Sequence, residues 1–138
     1  MIKVPYDELG KMNTQRAVQK LANSSFKTPQ AFAVKFLTKA AREGFFKMRE
    51  EYEKDIVGKF AVKGKEQAVD AGTKSEEMKL PFTCQDGKED EAKAALDSFG
   101  KKELVINKPK ISAEVLFEIN EWSPMELESL EFFVQDPA

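Results

Sequence analysis

The chain has 138 residues, of which 41% are apolar and 33% charged; that is enough for one domain with a hydrophobic core and excludes a disordered tail. Histidine is absent and cysteine occurs once, at Cys84, which excludes internal disulfides, Cys/His metal centres and histidine-activated nucleophiles. The net charge of −2 conceals a split, because residues 1–65 carry 14 Lys/Arg against 7 Asp/Glu while residues 66–138 carry 8 against 17.

The N-terminus, Met1 to Asp7, lacks the apolar run of a signal peptide, and no later apolar run approaches the ~20 residues of a membrane span. A cytoplasm is the expected compartment. A first helix is predicted from Pro5 or Tyr6 to Ala22. Asp7 and Glu8 sit where the helix dipole favours negative charge, and Tyr6, Leu9, Met12, Ala17 and Leu21 form an apolar face.

The second helix has a clear start signal, with Thr28 as N-cap and Pro29 at the first helical position. It is expected to run to Val57, where Gly58 offers a left-handed stop. Ala33, Leu37, Ala40, Ala41, Gly44, Met48 and Tyr52 recur at spacings of three and four. The small residues Ala40, Ala41 and Gly44 predict a close approach by the first helix, packed antiparallel across the short connection 23–27. Phe32, Phe36, Phe45 and Phe46 are spread around the helix, so some of these rings must meet something else.

Residues 59–80 read as an irregular, charged excursion broken by Gly64 and Gly72; Phe60 to Val62 suits either a short strand or a resumed helix. Pro81 to Gln85 looks extended, Asp86-Gly87 is a turn, and a third helix is predicted from Glu89 to Phe99 with Gly100 as its stop. Leu104 to Ile106 is the best strand candidate, and Ser112 to Ile119 is ambiguous between helix and strand. Ser123-Pro124-Met125-Glu126 has the form of a capping box opening a final helix, with Leu127, Leu130 and Phe133 on one side and an end near Val134. Trp122, just before the cap, is expected to anchor that helix.

These elements predict an α-rich α+β fold. A long antiparallel helical hairpin carries a small β-element and short C-terminal helices. The chain reads as one domain, with a basic hairpin over 1–58, the excursion over 59–80 and an acidic segment over 81–138.

The segments Lys27 to Phe36, Glu51 to Lys59, Glu91 to Ile106 and, most closely, Ser123-Pro124-Met125-Glu126-Leu127-Glu128-Ser129-Leu130-Glu131-Phe132-Phe133 carry a resemblance. In their order and spacing the chain resembles a group of small proteins encoded by tailed bacteriophages and prophages. That resemblance implies a bacterial host cytoplasm or a virion as the setting, and a partner-binding or assembly role. It brings no catalytic residues to carry over.

Other clusters have cheaper explanations than chemistry. Glu50, Glu51, Glu53 and Asp55 have Lys47 and Lys54 at ion-pairing distance along a helix. Asp86 to Glu91 lacks the ligand spacing of a calcium loop and suits an acid-rich first helical turn. Gly58 to Gly64 has the wrong spacing for a phosphate loop. Cys84 has no histidine to activate it and is expected to be a small buried residue. No catalytic residue, cofactor or metal is therefore expected.

The expected function is non-enzymatic protein–protein interaction in virion assembly or as part of the particle, with Phe32, Phe36, Phe45 and Phe46 facing the partner; self-association is a further expectation. A first rival is inhibition of a host defence system or host enzyme through an acidic patch of Glu114, Glu118, Glu121, Glu126, Glu128 and Glu131. A second is nucleic-acid binding by the basic patch Lys35, Lys39 and Arg42. The simplest reading of the charge split is that the halves attract each other and their helix surfaces are solvated.

Overall fold

Ile2 and Val4 are fully buried and Lys3 between them is exposed, the two-residue period of a half-buried strand. The computed structural model, which describes residues 1–27, 29–118 and 121–135, accordingly opens with strand β1, Ile2–Pro5. Its antiparallel partner is β2, Glu103–Ile106, in the register Ile2 with Ile106 and Val4 with Leu104. The expected strand at Leu104 to Ile106 is present. The pairing partner was not anticipated, since Met1 to Val4 had no predicted element and Pro5 was read as a possible helix start.

The first predicted helix is two helices. Helix α1, Tyr6–Leu9, ends at Gly10, and α2, Met12–Ala22, starts after an extended Lys11. The Gln15 side chain donates to the Leu9 carbonyl at 2.5 Å, which satisfies an acceptor left open by the break. Thr14, Ala17, Val18 and Leu21 form the buried stripe of α2, while Met12, expected on the apolar face, is exposed.

Helix α3, Gln30–Tyr52, buries Val34, Leu37, Thr38, Ala41 and Met48. Ala33, expected on that face, is exposed. The buried Thr38 hydroxyl donates to the Val34 carbonyl at 2.9 Å. The close approach at Gly44 exists, but its neighbour differs from expectation. A Cβ there would stand 2.5 Å from Leu104 of β2, and α2 packs on a C-terminal helix. Thr28, the expected cap, lies outside the described residues, as do Ile119 and Pro137.

Gly58 does not stop the helix. Residues Glu53–Val57 form a π-helical turn in which the Gly58 N–H bonds the Glu53 carbonyl; φ at Gly58 is −62°, and α4, Gly58–Phe60, continues the helix. Ala61 then turns extended and bridges Cys84. The charged excursion holds one short helix, α5, Lys74–Glu77, capped by the Thr73 side chain. Gly87 has φ +83° in the predicted Asp86-Gly87 turn, a conformation that suits glycine. Helix α6, Glu89–Gly100, ends one residue later than expected, with Gly100 inside its last turn and Lys101 as the C-cap.

The ambiguous segment from Ser112 is strand and then helix: β3, Ile111–Ser112, followed by α7, Ala113–Leu116. The predicted capping box is present at α8, Pro124–Ser129. Ser123 Oγ accepts the Glu126 N–H at 3.2 Å, and Glu126 accepts the Ser123 N–H at 2.9 Å. The helix is shorter than expected. After Ser129 the chain turns, and β4, Val134–Gln135, runs parallel to β3, with the Ile111 N–H on the Phe133 carbonyl at 2.9 Å. Leu127 is consequently exposed while Leu130 and Phe133 are buried.

The α-rich α+β class stands. The contacts fall into two compact units, residues 1–46 with 103–138 and residues 47–102, which do not follow the three sequence segments because β2 returns the C-terminal residues to β1. The core of the second unit gathers Ile56, Phe60, Leu80, Phe82, Cys84 and Ala92. Fully buried Phe82 alone contributes about 1.5–3 kcal/mol relative to an exposed ring. No helix among the described residues is long and apolar enough to cross a membrane.

Candidate functional site

A helix advances 100° per residue, so Val34, Leu37 and Ala41 turned inward leave one outward stripe on α3. That stripe carries Phe32, Lys35, Phe36, Lys39, Arg42, Glu43 and Phe46, all exposed. Phe32 is 54% exposed, Phe36 48% and Phe46 71%. From Phe32 to Phe46 the stripe is about 21 Å long at 1.5 Å per residue. The first two rings stack on each other with centroids 6.2 Å apart. The Lys108 ammonium lies 5.5 Å from the Phe36 centroid, so a cation from beyond β2 joins the stripe.

Phe45 is different. It is half-buried and stacks on Tyr6 at 5.9 Å with the planes 18° apart, so its ring belongs to the fold. The basic residues Lys35, Lys39 and Arg42 do lie together on the stripe, and Glu43 reaches Lys39 at 4.0 Å. Arg42 Nε donates to the Thr38 carbonyl at 3.4 Å. Among the described residues Lys35, Arg42 and Lys108 enter no ion pair.

The six expected acidic residues fare unequally. The Glu118 carboxylate accepts the Lys27 N–H at 3.0 Å. Glu126 is held by the capping box and by Lys20 at 2.9 Å, and the Ser123 backbone bond followed by Lys20 holds its carboxyl below the usual carboxylate range. Lys20 also donates to the Glu121 carbonyl and sits 4.7 Å from the Trp122 centroid, while the indole N–H bonds the Leu116 carbonyl at 3.0 Å. Trp122 thus anchors α8 as expected, through Lys20 of α2, a partner that no local pattern announces. Glu114, Glu121, Glu128 and Glu131 remain exposed.

The charge split largely vanishes when counted by compact unit. Residues 1–46 with 103–138 hold 10 Lys/Arg against 11 Asp/Glu, and residues 47–102 hold 12 against 13. Within the first unit α3 carries Lys35, Lys39 and Arg42 beside Glu43, and the acidic residues on and around α8 have Lys20 against Glu126 and Lys11 near Glu128.

In the carboxylate cluster near the end of α3, Glu51 meets Lys102 at 2.5 Å and Glu53 meets Arg49 at 3.5 Å, while the expected partners Lys47 and Lys54 enter no ion pair among the described residues. Buried Glu89 accepts the Gly87 N–H at 2.8 Å, and Asp90 meets Lys74 at 3.4 Å. Among the described residues no group of three or more Cys, Asp or Glu could hold a metal ion. Cys84 is buried, and burial followed by nearby Glu89 pushes its thiol pKa up, away from reactivity. A cleft of about 530 Å³ in the second unit is lined by Lys65, Asp70, Ser75, Thr83 and Glu89, whose polar atoms are engaged with one another or with nearby backbone. Another, of about 560 Å³, lies beside the π-helical turn and is lined by Arg49, Tyr52, Glu53, Glu66 and Gln67.

Compared with known protein families, curated proteins and solved structures, the chain matches no family model, no curated protein and no solved structure.

Proposed function

We propose that this is a non-enzymatic protein–protein interaction protein, phage-encoded, acting in virion assembly or as a component of the particle. The observation that carries the interaction reading is the exposed aromatic stripe of α3. Three phenylalanines with no polar tip stand in water along one helix face. Taking ~200 Å² per ring, they expose about 350 Å² of apolar surface in total, divided by Lys39, Arg42 and Glu43 between the Phe32–Phe36 pair and Phe46; the largest apolar patch on a typical monomer is about 300–600 Å² and often functional. Covering that area yields about 9 kcal/mol gross at 25 cal/mol per Å², against an association cost of about 4–15 kcal/mol, so the flanking charges have to contribute. The phage setting rests on the resemblance of the Ser123 to Phe133 segment and its companions.

The acidic-inhibitor reading is weakened by the engagement of Glu118 and Glu126 within the chain. Nucleic-acid binding would draw on the same stripe, but Glu43 lies on it and the unit as a whole is not basic.

The test is capture of the tagged protein from infected and uninfected cells, with mass spectrometry of the co-purifying proteins. Phage structural proteins are expected with the native chain and lost with Phe32→Ser/Phe36→Ser/Phe46→Ser. Recovery of a single host enzyme that survives those substitutions would overturn the proposal.

A further inference from the structure

We infer that the α3 stripe engages a second copy of this chain, on the acidic outer face of α8, in a head-to-tail contact. The inference rests on reading the stripe as an interaction surface and adds its occupant.

The complementarity is present in one molecule. The stripe offers Phe32, Phe36 and Phe46 among Lys35, Lys39, Arg42 and Glu43, three basic groups against one acidic. Helix α8 commits Glu126 to Lys20, and Leu130 just after it is buried, which leaves Met125, Leu127, Glu128 and, beyond the helix, Glu131 exposed. Met125 is 61% and Leu127 41% exposed, so α8 carries an apolar side chain on either flank of Glu128, with Lys11 near Glu128 and Arg16 near Met125. Both surfaces are exposed in the same chain and therefore do not cover each other. The α8 surface is held in place by its capping box, by Lys20 and by Trp122, which lowers the ordering cost of docking.

A two-fold dimer centred on α3 would bring together two stripes that each carry Lys35, Lys39 and Arg42 against a single Glu43, and one centred on α8 would bring Glu128 and Glu131 of both copies close. One stripe seated on one α8 per interface is a heterologous contact, which propagates into a ring or an open chain of subunits. The stripe and its flanks fall short of the ~800 Å² per partner of a standard interface, so the contact is weak, in the micromolar range, and sensitive to salt.

Analytical ultracentrifugation of the full chain from 10 to 500 µM (rough working limits for a weak contact), at low and high salt, reads this directly. The weight-average mass is expected to rise above the monomer's 15.6 kDa with no plateau at a dimer, and to fall back in high salt. Phe36→Ser/Lys39→Glu and, separately, Glu128→Lys/Glu131→Lys should each remain monomeric. Mixed in equal amounts they should form a one-to-one pair that grows no further, since each supplies the surface the other lacks. Circular dichroism confirms folding, and all four substitutions are at exposed positions. A wild type that stays monomeric throughout overturns the inference, as does a plateau at a dimer or a mixture that does not pair. If the wild type is monomeric while the aromatic substitutions still abolish capture of phage proteins, the stripe binds another protein and only the self-association fails. Salt-sensitive binding of a single-stranded oligonucleotide to the stripe, without self-association, overturns both readings.

Discussion

Replacing Gly44 with alanine tests the packing of α3 on β2 with a single methyl group. Its Cβ would lie 2.5 and 2.6 Å from the two terminal carbons of Leu104 and 3.1 Å from the branch carbon. Because both methyls and the carbon that bears them crowd the site, turning the end of the leucine does not clear it; the side chain must swing away or the strand must move. Overpacking of this kind costs about 1–3 kcal/mol. Alanine in a helix interior returns about 1 kcal/mol over glycine. The net expectation for Gly44→Ala is a destabilisation of about 1 kcal/mol by urea unfolding, followed by far-UV circular dichroism. In a Leu104→Ala background the obstruction is gone and only the helix gain remains, so the same substitution should stabilise by about 1 kcal/mol. The sign reversal, a coupling of about 2 kcal/mol, is the signature of direct contact. An equal effect in both backgrounds, or stabilisation of the wild type, would refute the placement of Gly44 against Leu104.

Glu126 supplies a pH test. Its folded-state pKa lies below the ordinary value of 4.5, held there by the Ser123 backbone and by Lys20, so its contribution is present above that value and lost as pH falls through the depressed pKa. Wild type and Glu126→Gln should therefore converge in urea midpoint as the solution is acidified below that range; parallel curves would sink the assignment. Ser75→Ala leaves the buried Cys84 N–H without the 2.9 Å acceptor it now has, which should destabilise by about 1–3 kcal/mol and speed hydrogen exchange at that amide. An unchanged exchange rate would show that Ser75 is not its partner. The Cys84 thiol, buried and with a raised pKa, should react with a disulfide reagent only after unfolding, and immediate stoichiometric labelling of the native protein would contradict its burial.

Local chemistry was legible wherever a few adjacent residues settle a conformation. Ser123-Pro124-Met125-Glu126 reads as a capping box and is one, because both of its hydrogen bonds close within four residues. Asp86-Gly87 reads as a turn because glycine accepts the positive φ found there. The strand at Leu104 was visible in its β-branched neighbours. Strand β1 also showed a signal in the alternation of Ile2, Lys3 and Val4, which the apparent helix start at Pro5 obscured. The stop expected at Gly58 failed because glycine tolerates right-handed φ as well as left-handed, and a π-helical turn carries the chain through it.

Of the candidate surface, the periodicity of α3 already showed that four phenylalanines could not share one inward stripe. It could not say which of them water would see. Phe45 lies inward because Tyr6 lies beside it, and Lys108, just beyond β2, reaches Phe36 because β2 lies against α3 where Leu104 meets Gly44. By itself the sequence determined the α-rich class, the composition that leaves no histidine chemistry, the Ser123 capping box and the Asp86-Gly87 turn, since these depend on propensity and on bonds spanning a few residues. The tertiary structure alone decided that Gly44 meets a strand, that Lys20 holds α8, and that each compact unit draws on both charge halves and is nearly neutral. Those outcomes depend on which distant segments bury surface together, and local pattern does not encode that.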